Sequence, residues 1–365
     1  MLNLKEAELL ALIRRNPYLS QQEMADAMKL SRPSIANLIS GLIREGKILG
    51  RAYVLPEEGT VICIGGANVD RKFKMKKKTI MATSNPAEVT GSVGGVARNI
   101  AENLGRLGHS VKLLSIAGND SEWKLIDEVS APFMATDLTK SFDELSTGTY
   151  TAVLEPNGEM LLAMANMDIY EEMTPAYVAR NENALLAASC LVVDLNCPKE
   201  TVEYIRKLAK SRAIPLAVIP VSGPKMDRLG EDLTGITWLV MNRDEAEQYL
   251  GCSIGTRADW LECAENFLGR GVENILITGG KDGVVAGNQT AIEHFEALHA
   301  DNLLDVTGAG DAFSSGILHS FLHGKDFSAT ILSGLMNATK TLQSAATVRT
   351  ELTAEQLKKE LEEIK

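Results

Sequence analysis

Apolar residues recur at helical spacing in three short stretches at the start of the chain. Leu4, Leu9, Leu12 and Ile13 share one face of a helix predicted over residues 4–15, which Asn16-Pro17 closes. Ser20 followed by Glu23 is a capping box that opens a second helix, with Met24, Ala27 and Met28 as its inward stripe. Ser31 caps a third helix. Pro33 sits in its first turn, where a missing N–H costs nothing, and Ile35, Leu38, Ile39, Leu42 and Ile43 recur on its inner face. Glu45-Gly46-Lys47 stops it, and residues 47–55 (KILGRAYVL) read as a two-stranded ribbon turning near Gly50-Arg51.

Beyond Gly59 the pattern changes from amphipathic to wholly apolar runs. VICIGGANVD is β-rich, breaks at Gly65-Gly66, and passes into a polar loop ending in Asn68 and Asp70. Similar runs recur at 111–116, 190–195, 216–219, 238–241 and 274–278, separated by helical stretches such as 96–107, 201–211 and 259–268. This alternation predicts an α/β fold, a parallel sheet covered by helices on both faces. Ligands of such sheets bind at the carboxyl ends of the strands. Segments 60–92 and 147–168 alternate as short half-exposed strands, the second with a Pro-Asn-Gly turn.

The 365 residues suit one large α/β domain plus a small appendage, and 45% hydrophobic with 23% charged residues excludes a disordered or collagen-like chain. No apolar run approaches the roughly 18 residues that span a bilayer, and the N-terminus does not read as a leader. The protein is expected to stay in the cytoplasm. The five cysteines form an odd set without a CxxC pair, which suggests neither a disulfide framework nor a zinc site. A net charge of −11 argues against nonspecific nucleic-acid binding by the whole molecule. Residues 1–58 nevertheless carry +1 and the remainder −12, so the first segment is a module with its own chemistry.

The most informative string is Asp305-Val306-Thr307-Gly308-Ala309-Gly310-Asp311-Ala312-Phe313, ahead of a helical run over 314–322. Glycine and alanine immediately before a helix leave backbone N–H groups uncovered, and the helix dipole adds positive potential there. A phosphoryl group is the natural guest. An Asp in such a positive pocket is expected to stay ionised and to accept the proton of an attacking hydroxyl. A glycine-rich turn with a capping Asp would explain Gly310 and Asp311 but not the whole string.

That string resembles the C-terminal signature of the ribokinase (PfkB) family of sugar and nucleoside kinases. The family's N-terminal signature is matched by Gly94-Gly95-Val96-Ala97-Arg98-Asn99, and the resemblance runs over roughly residues 60–350. It implies a ribokinase-like sheet with a small β-lid, from about 68–92 and 147–168, that closes over the sugar. Such lids often pair into homodimers. It implies Asp311 as the base, with the backbone of Gly308, Ala309 and Gly310 as the anion hole. Asn68, Asp70, Gly94, Gly95 and Asn99 match sugar-binding positions. Asn242 and Glu245 match an NxxE motif that organises Mg2+ and the phosphates of ATP, although a surface capping pair has the same spacing. Thr278, Gly280 and Gly283 fall in the nucleotide-binding loop, and Asp305 and Thr307 match positions that hold a monovalent cation such as K+. The basic run over 71–78 reads as a solvated lid edge, without assigned function.

Further segments are similar to pseudouridine kinases of this family: Ser84-Asn85-Pro86, Val193-Asp194-Leu195-Asn196, and Pro220-Val221-Ser222 ahead of Lys225. Asn196 stands where ribokinases carry a Glu. Ile219 and Met164–Asp168 depart from the pseudouridine kinase pattern. Residues 20–48 resemble a bacterial winged helix-turn-helix, whose third helix would turn Ser31, Arg32, Ser34 and Asn37 toward operator DNA, with Arg51 on the wing. The expectation is a DNA-binding module over 1–58 and an ATP-dependent kinase over 59–365 that phosphorylates the 5′-hydroxyl of a nucleoside, pseudouridine first. Two alternatives stay open: a transcription regulator whose kinase fold senses a ligand, and a ribokinase-like sugar kinase. The intact Asp311 string favours catalysis, and Asn196 disfavours the sugar kinase.

Overall fold

The computed structural model describes residues 4–17, 19–49, 59–300 and 302–363. The predicted turn of the ribbon, with Arg51, lies outside the described residues. The three N-terminal helices form where their caps place them: α1 (Leu4–Arg15), α2 (Gln21–Met28) and α3 (Arg32–Arg44). Ser20 and Glu23 complete the capping box of α2, and Ser31 caps α3 with Pro33 in its first turn. Leu9, Ile13, Met24, Ile35, Ile39, Leu42 and Ile48 close a separate small core.

The large sheet has eight strands. They are β1 (Val61–Ile64), β4 (Val111–Leu114), β9 (Cys190–Asp194), β10 (Leu216–Ile219), β11 (Trp238–Asn242), β12 (Asn274–Thr278), β13 (Val284–Asn288) and β14 (Ile292–Phe295). Their order is β14-β13-β12-β11-β10-β9-β1-β4, parallel except where β13 pairs antiparallel with β12 and β14. Strand alternation sends Ile62 and Ile64 into one core and Val61 and Cys63 into the other. The first core is capped by α6 (Pro175–Ala179), α7 (Glu182–Ala187), α8 (Lys199–Arg212), α9 (Arg243–Leu250) and α10 (Arg257–Gly269). The second lies under α4 (Val96–Arg106), α5 (Ser121–Ser130), α11 (Ala309–Leu322) and α12 (Phe327–Leu342). The last helix, α13 (Ala354–Glu362), is tied down by Leu357 and by the bidentate pair between Glu360 and the buried Arg349, at 2.7 and 2.8 Å.

The lid is a four-stranded sheet of β2 (Asn68–Met75), β3 (Ala87–Gly94), β7 (Thr149–Leu154) and β8 (Met160–Asn166), in the order β3-β2-β7-β8. A further pair, β5 (Ile116–Gly118) and β6 (Lys140–Phe142), lies beside it in sequence. Two expectations need correction here. Asn68 and Asp70 do not end a polar loop: they open β2, because the loop after β1 is only three residues long. The basic run is not a lid edge either, since β2 is hydrogen-bonded on both sides by β3 and β7. Two of its cations are committed, Arg71 to Glu122 at 2.6 Å and Lys72 to Asp305 at 3.1 Å.

Candidate active site

From β1 the chain departs to β4 on one side and later to β9 on the other, so the carboxyl ends of β1 and β9 flank a topological switch point. Asp194 closes β9 there and is almost wholly buried. Its Oδ2 accepts the backbone N–H groups of Gly66 and Ala97, each at 2.9 Å, and the side-chain amide of Asn196 at 3.1 Å. Oδ1 accepts the Asn196 N–H at 2.9 Å. One carboxylate thus ties the exit loop of β1 to the first turn of α4. Burial lifts its pKa above the ordinary carboxylate range despite these donors.

Gly95, the residue before α4, has φ +100°, and a Cβ there would lie 2.3 Å from the Gly66 carbonyl oxygen. Gly94 is equally constrained in space, because a Cβ would lie 2.3 Å from Asp70 Oδ2. This close packing brings Asn99 of α4 to the mouth of the crevice, where its Nδ2 donates to Asp311 Oδ2 at 2.9 Å. Across from it Asn68 Nδ2 donates to Asp70 Oδ1 at 2.6 Å. Six of the residues singled out in the sequence therefore share one crevice, although Asp311 lies 212 positions from Asn99.

Asp311 stands in the first turn of α11. The turn before it needs Gly308, whose φ is +82° and whose Cβ would meet the Thr347 carbonyl oxygen at 2.2 Å. Burial pushes the Asp311 pKa up to about 7, with the charges of Asp194 and Asp70 adding to it and the Asn99 bond opposing it. The expectation of a carboxylate held fully ionised by the helix terminus is corrected accordingly. Desolvation and two like charges outweigh one donor and a dipole, and the result is a base poised near neutrality.

A second group of residues gathers two strands further along the sheet from β9. Asn242 and Thr278 are register partners at the ends of β11 and β12. Asn242 Oδ1 accepts the Glu245 N–H at 2.8 Å and Glu245 Oε2 accepts the Asn242 N–H at 2.9 Å, a capping box that opens α9. The surface alternative for this spacing is only half met, since Glu245 is buried and burial raises its pKa. Gly279 N–H donates to the Gly283 carbonyl at 2.8 Å, closing the turn that holds Gly280. Arg243 pairs with Asp282 at 2.6 Å and stacks on Trp260 beside this loop. Asp305 Oδ1 accepts both the N–H and the hydroxyl of Thr307, at 2.9 and 2.7 Å, while Oδ2 meets Lys72. With that side chain committed, a cation at this loop would rest on backbone carbonyls.

Three supporting residues were given no role in the site by the sequence: Asp194 and Lys225 appeared only within segments of resemblance, and Tyr170 was not named. Tyr170 clamps the β1 exit loop, donating to the Ala67 carbonyl at 2.6 Å and accepting its N–H at 2.9 Å. Lys225 donates to Asn196 Oδ1 at 2.5 Å, so the Asn196 amide is held between Asp194 and Lys225. In the N-terminal module Ser31 Oγ accepts the Ser34 N–H at 3.2 Å and bonds the Ser34 hydroxyl at 2.8 Å. Both serines thus serve the cap of α3, and Arg32 and Asn37 remain as its exposed candidate DNA contacts.

The model of the pfkB family of carbohydrate kinases matches residues 59–353. The chain belongs to this family. A winged helix-turn-helix DNA-binding model matches residues 2–48, so the kinase is preceded by a winged helix-turn-helix domain. The chain is 30% identical to the uncharacterized sugar kinase YeiI of Escherichia coli (strain K12), over 89% of this chain and 90% of that protein. It is 31% identical to a pseudouridine kinase of Escherichia coli (strain K12), over 75% of this chain and 88% of that protein. The structure of Arabidopsis thaliana ribokinase complexed with ribose and ATP superposes with a TM-score of 0.74 at 18% identity, over 84% of this chain and 99% of that one. The ribokinase-like α/β fold is therefore shown, and the activity class is a phosphotransferase with an alcohol acceptor. Among the described residues no helix is long and apolar enough to cross a membrane.

Proposed function

We propose that residues 59–365 transfer the γ-phosphoryl group of ATP to the 5′-hydroxyl of a nucleoside, pseudouridine above others. The observation that carries this reading is the Asp311 carboxyl, set in the first turn of α11, bonded to Asn99 and facing the Asn68–Asp70 pair. Asn68, Asp70 and Asn99 would grip the ribose hydroxyls as paired donors and acceptors. The acceptor hydroxyl gives its proton to Asp311 as its oxygen bonds to the γ-phosphorus. The bond from that phosphorus to the bridging oxygen breaks, and ADP leaves with the electron pair. The backbone N–H groups of Gly308 and Gly310, with that of Ala309 once it leaves its long 3.4 Å bond to the Val306 carbonyl, would hold the charge that builds on the transferring group. Asn242, Glu245, Thr278, Gly280 and Gly283 would position the nucleotide. Bound Mg2+ neutralises phosphate charge, and the buried Glu245 carboxylate fits a role in orienting its water shell.

The base preference rests on Asn196. Held between Asp194 and Lys225, it places an ammonium with two donors left over beside the crevice, and the carbonyls of a uracil ring are acceptors of the right kind. The likeness to pseudouridine kinase supports the same choice. The test is a panel of pseudouridine, other nucleosides, ribose and fructose 6-phosphate with ATP, with product position read by NMR. Pseudouridine 5′-phosphate should form with the highest kcat/KM. A free sugar or sugar phosphate as best substrate would overturn the nucleoside reading, and phosphorylation of no acceptor would return the chain to a ligand sensor.

Residues 1–58 would bind operator DNA as the paired modules of a homodimer, with Arg32 and Asn37 in the major groove. The outer lid face, with Val89, Met160, Leu162 and Met164 exposed, suits pairing with a second copy of the chain.

A further inference from the structure

Three of the chain's five histidines meet at one place far from the crevice. His109 sits in the turn between α4 and β4, and its backbone N–H is anchored on the Leu104 carbonyl at 3.0 Å. His319 lies in the last turn of α11, and His323 is the residue that caps that helix. The i, i+4 spacing puts the last two on one face of the helix. Their rings lie tilted at 49° with centroids 4.5 Å apart, and the His109 ring meets both edge-on at 5.1 and 5.3 Å.

We propose that His109, His319 and His323 form a metal site for Zn2+ at the carboxyl end of α11. One ring nitrogen from each lies within 4.8 Å of the others. Three nitrogens bound to zinc at 2.0–2.1 Å in tetrahedral geometry stand about 3.3 Å apart, so closure needs only small ring movements. His109 Nε2 and His319 Nδ1 already face each other at 2.9 Å, sharing a proton that the ion would replace. His323 Nδ1 contacts the His319 carbonyl at 2.8 Å, which fixes a tautomer with a basic Nε2, the outer bond that metal-bound histidines commonly make.

Exposure of His323 gives the ion a path in and leaves a fourth position for water. The negative end of the α11 dipole favours a cation there. The exposed Lys325 opposes one at His319, which sets the affinity below that of a carboxylate-lined site. Burial keeps His109 and His319 largely unprotonated at neutral pH, the state in which imidazole binds metals. The ion would clip the carboxyl end of α11 to the turn that follows α4. These are the two helices whose opposite ends carry Asp311 and Asn99, so the clip would brace the pair that holds the base.

The test uses the full chain, stripped by chelator and free of nucleotide. Co2+ titration should give d–d bands of a nitrogen-ligated ion at one equivalent per chain, and Zn2+ should displace them. Zn2+ should also raise the midpoint of thermal unfolding. His323→Ala, at an exposed position, and His109→Gln should each lose the equivalent and the thermal shift. No stoichiometric uptake would overturn the site. So would retention of the equivalent in both variants, or a thiolate-to-metal charge-transfer band pointing to Cys252 and Cys263, whose sulfurs lie 3.4 Å apart.

Discussion

The crevice over the large sheet and the exposed face of α3 hold polar residues in opposite ways. In the crevice Asp70, Asp194 and Asp311 come from positions far apart in the chain, and each has its pKa raised by burial. On α3 the candidate contacts lie within seven consecutive residues over a core of their own, and two of the four are spent on capping their own helix. Charge crowded away from water stores the capacity to move a proton. Charge left in water steers and positions, at little cost to the fold. The difference teaches that the two regions should respond to substitution on separate axes: turnover and stability in the crevice, salt-dependent affinity on α3.

The sharpest division should come at Asp311. Asp311→Asn should lower kcat by roughly 10²–10⁴-fold with nucleotide affinity nearly kept, because the proton acceptor is lost while the shape remains. In the wild type kcat/KM should rise with pH through about 7 as the carboxyl ionises, and this rise should be missing from the variant's residual activity. Stability should move the other way. A carboxyl with a folded pKa of about 7, against roughly 4 unfolded, contributes stability fully present below pH 4 and lost as pH rises through 7. Asn escapes that loss, so near pH 8 the variant should be more stable than wild type by about 1–3 kcal/mol in urea unfolding. Near-normal turnover in the variant would remove Asp311 from its role.

Asp194→Ala should cost on the order of 3 kcal/mol, since it strands the buried N–H groups of Gly66, Ala97 and Asn196. Chemical denaturation reads this directly, and a change below about 1 kcal/mol would mean the exit loop of β1 is held by Tyr170 instead. On the other side, Arg32→Ala should weaken operator binding by about tenfold and reduce its salt dependence, with kinase turnover unchanged. A drop in turnover would break the separation of the two regions. The smallest effect belongs to Lys72→Ala. Its half-exposed pair with Asp305 is worth about 1 kcal/mol, so KM should rise only a few-fold, and less so at high salt.

Local patterns were legible wherever a single element decided them. Ser20, Ser31 and Pro33 place the N-terminal helices through hydrogen bonds within three or four residues, which no distant contact has to supply. The apolar runs placed the six parallel strands of the large sheet, because strands buried on both faces have no polar side to show, whereas the antiparallel edge pair β13 and β14 was not picked out. The family signatures picked out Asp311, Gly308 and Asn99 as residues without showing that one amide would hold the other's carboxylate.

What only the tertiary structure decided is pairing and burial. Whether the basic run of β2 formed an edge depended on β7, whose register partners lie 80 residues away, arriving beside it. Asp194 became the tie of the crevice because strand order set β9 against β1, a choice made by packing both faces of the sheet at once. The pKa of Asp311 follows from the same cause. A sequence states which groups can ionise, but the energy of a charge depends on the water and the neighbours left around it, and those exist only once distant segments have come together.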